Sequence, residues 1–71
     1  MIVTFVGSFD NKDIYAMHVT ASMLDIVPFT EERIKELKTE PIYYKERGYS
    51  CKLSFNKNNR LEKIIFRKEK K

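Results

Sequence analysis

The sequence contains few of the residues from which enzyme sites and covalent crosslinks are built. It has one cysteine, Cys51, one histidine, His18, and two glycines that stand far apart. A catalytic dyad or triad needs a nucleophile and a base in a recognisable arrangement, and no such motif surrounds His18. One cysteine and one histidine cannot complete a structural zinc site, and isolated glycines do not form a phosphate-binding loop. We therefore expect a protein without enzymatic activity, cofactor or bound metal.

Long apolar runs and cysteine pairs are also missing. No stretch approaches the roughly 20 apolar residues of a membrane helix. The opening "MIVTFVGS" carries no basic leader of the kind found in signal peptides. A single cysteine cannot form an internal disulfide, which is typical of proteins in a reducing compartment. These features predict a cytoplasmic protein that does not enter a membrane.

The residues that are present favour a folded domain with an uneven distribution of charge. Hydrophobic residues make up 42% of the 71 residues, enough for a packed core in one domain. Residues 1 to 40 contain four basic and seven acidic side chains, whereas residues 41 to 71 contain ten basic and three acidic ones. We expect a single domain over residues 1 to 67, a charged and frayed tail at 68 to 71, and a basic surface contributed by the second half.

The chain is predicted to begin with a β-hairpin. Residues 2 to 7 and 14 to 20 are rich in β-branched and aromatic side chains, and the "SFDNKD" segment between them has the composition of a turn. Alternation along the second strand places Tyr15, Met17 and Val19 toward the core, although the opposite assignment also fits the pattern.

A helix is the clearest prediction for the middle of the chain. Residues 21 to 28 leave helix and loop both open, since a capping-box spacing there is followed by a proline. Thr30 is then a suitable N-cap, with glutamates in the first turn and lysines toward the last, as the helix dipole favours. Ile34 and Leu37 form the narrow stripe that faces the core, and Pro41 ends the helix.

The remaining residues predict two or three antiparallel strands. Residues 42 to 47 lead through Gly48 into residues 49 to 55, where larger side chains alternate with serine and lysine. A turn at "NKNN" returns the chain along residues 60 to 68. The sequence thus predicts a small single-domain α+β fold with an N-terminal β-hairpin, one short helix, and two or three antiparallel C-terminal strands.

Alternation in these strands predicts a basic outer face on the sheet. Burying Tyr49, Cys51 and Leu53 turns the intervening residues outward. Basic side chains beside an exposed aromatic ring neutralise phosphates and stack bases in small domains that bind single-stranded nucleic acid. Lysines outnumber arginines ten to four, and lysine lacks the forked geometry that distinguishes bases, so we expect little sequence specificity. The candidate binding residues are Tyr43, Lys45, Arg47, Lys52, Lys57, Arg60, Lys63 and Arg67.

Other functions remain open at the level of the sequence. A charged outer face can serve solubility alone, or it can bind an acidic protein surface. The chain also fits a small regulatory or inhibitory protein, of the mobile-element or phage type, that binds a larger cellular protein. For that function Phe9, Met17 and Ile65 are the candidate apolar contacts. A homodimer formed through a sheet edge is a further hypothesis.

Overall fold

A computed structural model describes residues 1–69 as one sheet with two helices packed on one side. Residues Met17 and Ala21 of the first helix and Leu37 of the second share a core with the sheet. The predicted α+β class is confirmed. Among the described residues, no helix is both long and apolar enough to cross a membrane. The elements in chain order are β1 (Ile2–Val6), α1 (Asn11–Asp25), α2 (Glu31–Thr39), β2 (Ile42–Tyr44), β3 (Tyr49–Phe55) and β4 (Leu61–Lys68).

The predicted N-terminal hairpin is wrong, because residues 14–20 belong to α1. Asp10 is the N-cap of this helix, and its side chain accepts a hydrogen bond from the backbone N–H of Asp13 at 2.8 Å. The helix continues to Asp25, so it also contains most of the segment 21–28. Packing of its inner side against the sheet outweighs the strand preference of its β-branched residues.

The inner side of α1 follows helical spacing and not alternation. Met17 is fully buried, as predicted, but Tyr15 is 74% exposed and Val19 is 44% exposed. Both were expected beside Met17, and in a helix their positions fall on the opposite side. The residues that face the core recur at intervals of three or four positions and are Met17, Ala21 and Leu24.

The second helix, α2, begins and ends as the sequence predicts. Thr30 is its N-cap, and Thr30 Oγ1 accepts a hydrogen bond from the backbone N–H of Arg33 at 3.2 Å. Ile34 and Leu37 are buried, with α2 lying against β3. Pro41 follows the end of the helix and leads into β2. The N-cap and the proline that mark the two ends of α2 lie in or next to the helix itself, so the sequence was sufficient to predict this helix.

The sheet is mixed and has the strand order β1-β4-β3-β2. The antiparallel pairs β2 with β3 and β3 with β4 confirm the predicted C-terminal strands. β1 pairs with β4 in parallel, from Ile2 opposite Lys63 to Val6 opposite Arg67. Between β1 and β4 the chain passes through both helices, β2 and β3, which provides the long connection that parallel pairing needs.

The strand predicted for residues 42 to 47 stops at Tyr44, and residues 45–48 form a turn. The backbone N–H of Gly48 donates to the carbonyl oxygen of Tyr44 at 2.9 Å. Gly48 has a φ of 77°, in the left-handed region that glycine adopts without steric cost. The turn therefore ends β2 earlier than the side-chain pattern of residues 42 to 47 predicted.

The last strand, β4, extends further than expected. It begins at Leu61 and includes Lys68, which pairs with Tyr49 of β3. The backbone N–H of Glu69 donates to the carbonyl oxygen of Gly48 at 2.9 Å. Lys68 and Glu69 are therefore part of the domain and not of a frayed tail, and residues 70 and 71 of the predicted tail lie outside the described residues.

Aromatic rings fill the core beneath the start of α1. Phe5 stacks on Phe66 with ring centroids 5.7 Å apart, and Tyr49 meets Phe66 edge to face at 5.8 Å. Phe9 packs edge to face against Phe5 at 6.0 Å. Lys68 Nζ lies 5.4 Å from the centroid of the Phe9 ring, within the range of a cation–π contact. The segment between β1 and α1 is thus fixed to the end of β4.

Candidate functional site

No described helix or strand covers the side of the sheet that faces away from the helices. Strand alternation and the pairing register together define which residues lie on it. We call this surface the open face. Its residues are Ile2, Thr4, Val6, Tyr43, Ser50, Lys52, Ser54, Lys63, Ile65 and Arg67.

Three basic residues surround Ile65 at the middle of the open face. Lys52 of β3 lies opposite Ile65, and Lys63 and Arg67 precede and follow Ile65 by two positions in β4. Residues two apart on a strand are separated by about 7 Å, and diagonal neighbours on paired strands by about 7–8 Å. Lys52, Lys63 and Arg67 form what we call the basic cluster. In residues 1–69 the one ion pair joins Arg33 to Glu36 on α2, so no carboxylate pairs directly with the cluster.

Tyr43 lies at the far edge of the open face in line with the basic cluster. The register places Tyr43 opposite Ser50, and Ser50 opposite Arg67. Tyr43 is 55% exposed, whereas Ser50 between the two larger side chains is only 6% exposed. Pro41, Tyr43, Ser50, Lys52, Ile65, Arg67 and Glu69 line a shallow depression here. An aromatic surface and cations therefore border the same hollow.

The four other basic residues predicted for this surface lie in the connections between strands. Lys45 and Arg47 belong to the turn before β3, and Lys57 to the turn after it, at opposite ends of the sheet. Lys45 and Arg47 were expected to project from a strand, and the early end of β2 explains the difference. Arg60 lines a cleft with the segment that joins the two helices, so it faces the helix layer at that end.

Two of the three apolar residues suggested as protein contacts lie in the core. Met17 is completely buried against the sheet, so it cannot meet a partner in the folded protein. Phe9 is partly buried and is engaged by Phe5, Tyr49 and Lys68. Ile65, the third of these residues, is partly buried and lies on the open face.

The sequence interpretation missed an apolar stripe on the outward side of α1. Residues Tyr15, Val19, Met23 and Ile26 recur every three or four positions and therefore share one helix face. Ile26, just past the helix end, is 82% exposed, and Met23 is 62% exposed. Helical spacing would have shown this stripe, but alternation had already assigned the segment to a strand.

The residues with reactive side chains have ordinary structural surroundings. Cys51 is fully buried in β3, and the loss of solvent raises the pKa of its thiol from the usual 9.0 to about 12. The thiol is therefore protonated at neutral pH and is a poor nucleophile. His18 is exposed on α1, with its ring 5.4 Å from that of Phe5. The described residues contain no group of three or more side chains that could hold a metal ion.

Comparison with known proteins yields no match to a protein family, to a curated protein or to a solved structure. The surfaces of the fold are therefore the basis for a functional proposal. Of these surfaces, the open face combines cations, an exposed aromatic ring and no covering element. Such a surface can bind an extended polyanion by charge neutralisation and stacking.

Proposed function

We propose that this protein is a non-enzymatic binding module that holds single-stranded nucleic acid on the open face with little sequence preference. It would act in the cytoplasm, where the lone thiol of Cys51 stays reduced. The basic cluster would contact phosphates, and Tyr43 would stack on a base. Lys45 and Arg47 would extend the contact toward one end of the sheet, and Lys57 toward the other.

The observation that carries this proposal is the position of the basic cluster. Lys52, Lys63 and Arg67 are brought to neighbouring positions by two paired strands, without a carboxylate bound to any of them in the described residues. Neighbouring like charges on a sheet repel one another and reduce stability. A bound polyanion relieves that repulsion, and the counterions it releases drive binding.

The expected specificity follows from the same residues. Two of the three cluster residues are lysines, which contact phosphate as mobile point charges. One exposed ring, Tyr43, can stack on any base because every base has an aromatic face. We therefore expect binding that depends on backbone charge and strand flexibility more than on sequence.

Fluorescence anisotropy with labelled single-stranded DNA and RNA, across a salt series, tests the proposal. The variant Lys52→Gln, Lys63→Gln, Arg67→Gln removes the basic cluster. Each lost phosphate contact lowers the slope of log affinity against log salt by about 0.7, so we expect a decrease of about 2 for the triple variant. The control Lys12→Gln, Lys35→Gln, Lys38→Gln removes the same charge from the helices and leaves most of the slope intact.

Equal loss of slope in both triple variants would show that net charge, and not the open face, attracts nucleic acid. No binding by the wild-type protein at low salt would refute the proposal. A third variant, Tyr43→Leu, tests stacking, which contributes about 1–3 kcal/mol per base by alanine substitution. Labelled poly-glutamate provides the comparison, because Tyr43→Leu should weaken oligonucleotide binding and leave poly-glutamate binding unchanged.

A regulatory protein that binds a larger protein is the second candidate function. The outward stripe of α1 supports it, because apolar side chains in a row on an exposed helix are typical of protein contacts. Such binding would be nearly independent of salt, in contrast to the behaviour expected for nucleic acid. It would be abolished by Val19→Lys with Ile26→Lys and unaffected by the loss of the basic cluster, as measured with any partner isolated by affinity capture.

A further inference from the structure

β1 forms an edge of the sheet without the features that normally prevent edge strands from pairing. Its sequence, IVTFV, contains no charge, proline or glycine, and its five residues are all β-branched or aromatic. Only β4 pairs with it in the described residues, so its other side carries unpaired backbone N–H and C=O groups. Natural edge strands are usually short, bulged, charged or covered.

The strand at the opposite edge of the sheet, β2, has features that protect an edge from pairing with another strand. β2 has only three residues. Pro41 precedes it, and the turn that begins at Lys45 follows it directly. A short strand between a proline and a lysine offers little backbone for a partner. The contrast identifies β1 as the edge that is available for pairing.

We propose that β1 pairs antiparallel with β1 of a second copy of this chain, joining two four-stranded sheets into one sheet of eight strands. The two-fold axis passes beside Thr4, so Thr4 lies opposite Thr4 of the second copy. Ile2 then lies opposite Val6, and Val3 opposite Phe5. This partner is independent of the nucleic-acid proposal, which needs only the open face of one copy.

The sequence of β1 is self-complementary in this arrangement. Every cross-strand pair on the open face joins two β-branched side chains, and no pair brings two charges together. Ile2 is 61% exposed and Val6 is 38% exposed in the single chain, so both gain apolar neighbours. Threonine pairs are also favourable across antiparallel strands. An isologous interface requires this kind of match between a surface and itself.

The helix layer is compatible with the same arrangement. A two-fold axis perpendicular to the sheet keeps both helix layers on one side and both open faces on the other. His18 of α1 contacts Phe5 of β1 at a centroid distance of 5.4 Å, so α1 lies above this edge. The two α1 helices would therefore come side by side over the joined strands.

Size-exclusion chromatography with light scattering, across a range of protein concentrations, tests the dimer. We expect the mass to rise from 8.5 kDa toward twice that value as concentration increases. Thr4→Glu places two carboxylates opposite each other at the axis, and we expect the dissociation constant to increase at least about tenfold. Ser54→Glu makes the same change on the open face in β3, away from the edge, and should leave the dimer unchanged.

Disulfide trapping tests the register. The native Cys51 is fully buried, so a cysteine introduced at the edge is the accessible thiol. Directly opposite residues in antiparallel strands have Cα atoms about 4.5–5.5 Å apart, a distance that a disulfide spans. We expect Thr4→Cys to form a crosslinked dimer by itself. Ile2→Cys should crosslink only when it is mixed with Val6→Cys.

Several outcomes would overturn the proposal. A wild-type protein that stays at 8.5 kDa at about 1 mM, where even weak dimers form, would refute it. A dimer that survives Thr4→Glu but is lost in Val19→Lys would place the interface on α1 instead. Trapping of Ile2→Cys with itself would show a different register. Circular dichroism of each variant establishes that it is folded, so loss of the dimer is distinguished from loss of the fold.

Discussion

At the scale of single residues, Gly7 is the position where the backbone leaves the least choice of amino acid. It has a φ of 112°, and a Cβ atom there would lie 2.8 Å from the Cβ atom of Lys68. We expect Gly7→Ala to lower the free energy of unfolding by about 1–3 kcal/mol, measured by urea denaturation. Gly48→Ala is the control, because its Cβ would meet nothing within 4 Å and only the backbone strain would remain. An equal loss in the two variants would contradict the crowding at Lys68.

The buried thiol of Cys51 makes a second prediction, for stability against pH. The pKa is raised from 9.0 to about 12 on folding, so the folded state favours the protonated thiol. Its contribution is complete below pH 9 and is lost as pH rises toward 12. The free energy of unfolding should fall by about 1.4 kcal/mol per pH unit in that window from this group. Burial also raises the pKa of Tyr44, which adds to the fall.

The variant Cys51→Ala isolates the contribution of the thiol. We expect the free energy of unfolding of the variant to lie below that of the wild type at pH 7. Alanine is smaller than cysteine and leaves a cavity in the core. Between pH 9 and 11 its slope should be shallower, because the variant lacks the thiol whose raised pKa makes the wild type lose stability in this window. Parallel curves for the two proteins would mean that the thiol is not buried as described.

At the scale of elements, α1 shows the difference between its two apolar sides. Met17 is buried, and Met17→Ala should lower the free energy of unfolding by about 2–4 kcal/mol through the cavity it leaves. Val19 is 44% exposed, and Val19→Lys should change the free energy of unfolding by less than about 0.5 kcal/mol. Chemical denaturation of both variants measures the difference. A large loss for Val19→Lys would place that residue in an interface or in the core.

For α1, the sequence alone could not distinguish a helix from a strand. Residues 14–20 contain β-branched and aromatic side chains at positions that fit alternation, and the spacing of Ile14, Met17, Ala21 and Leu24 fits a helix equally well. The Asp10 cap favoured helix, but an aspartate in a polar segment also fits a turn. Only packing against the sheet distinguishes these alternatives, and packing is not visible in a local pattern.

The outward positions of Lys52, Lys63 and Arg67 on the sheet could be predicted from the sequence, whereas the helix α1 behind the sheet could not. Strict alternation in β3 placed Lys52 outward, and the returning strand placed Lys63, Ile65 and Arg67 beside it. In β3 the polar residues recur at every second position, as strand geometry requires, so the pattern was sufficient to predict which side of the sheet each residue faces. The positions of Lys45 and Arg60 could not be predicted, because they depend on where β2 ends and on how the helix connection folds.

At the scale of the whole molecule, the strand order predicts which regions open first. β4 is paired on both sides, by β1 and β3, whereas β2 is a three-residue edge. Hydrogen exchange followed by NMR should therefore show the slowest amides in β4 and β3 and faster exchange in β2. Fast exchange in β4 would contradict the parallel pairing with β1. That pairing could not have been predicted locally, since no pattern in β1 identifies a partner so distant in sequence.

The parallel pairing of β1 with β4 also affects how the chain can fold while it is being synthesised. Ile2 pairs with a residue about 60 positions later in the sequence, so the first strand leaves the ribosome long before its partner exists. During that interval IVTFV is an exposed apolar strand with no charge to keep similar strands apart. Synthesis at about 5–20 residues per second makes this interval several seconds. Slow translation between α2 and β4 would lengthen it, and nascent chains would then depend on chaperones that shield β1 until β4 arrives.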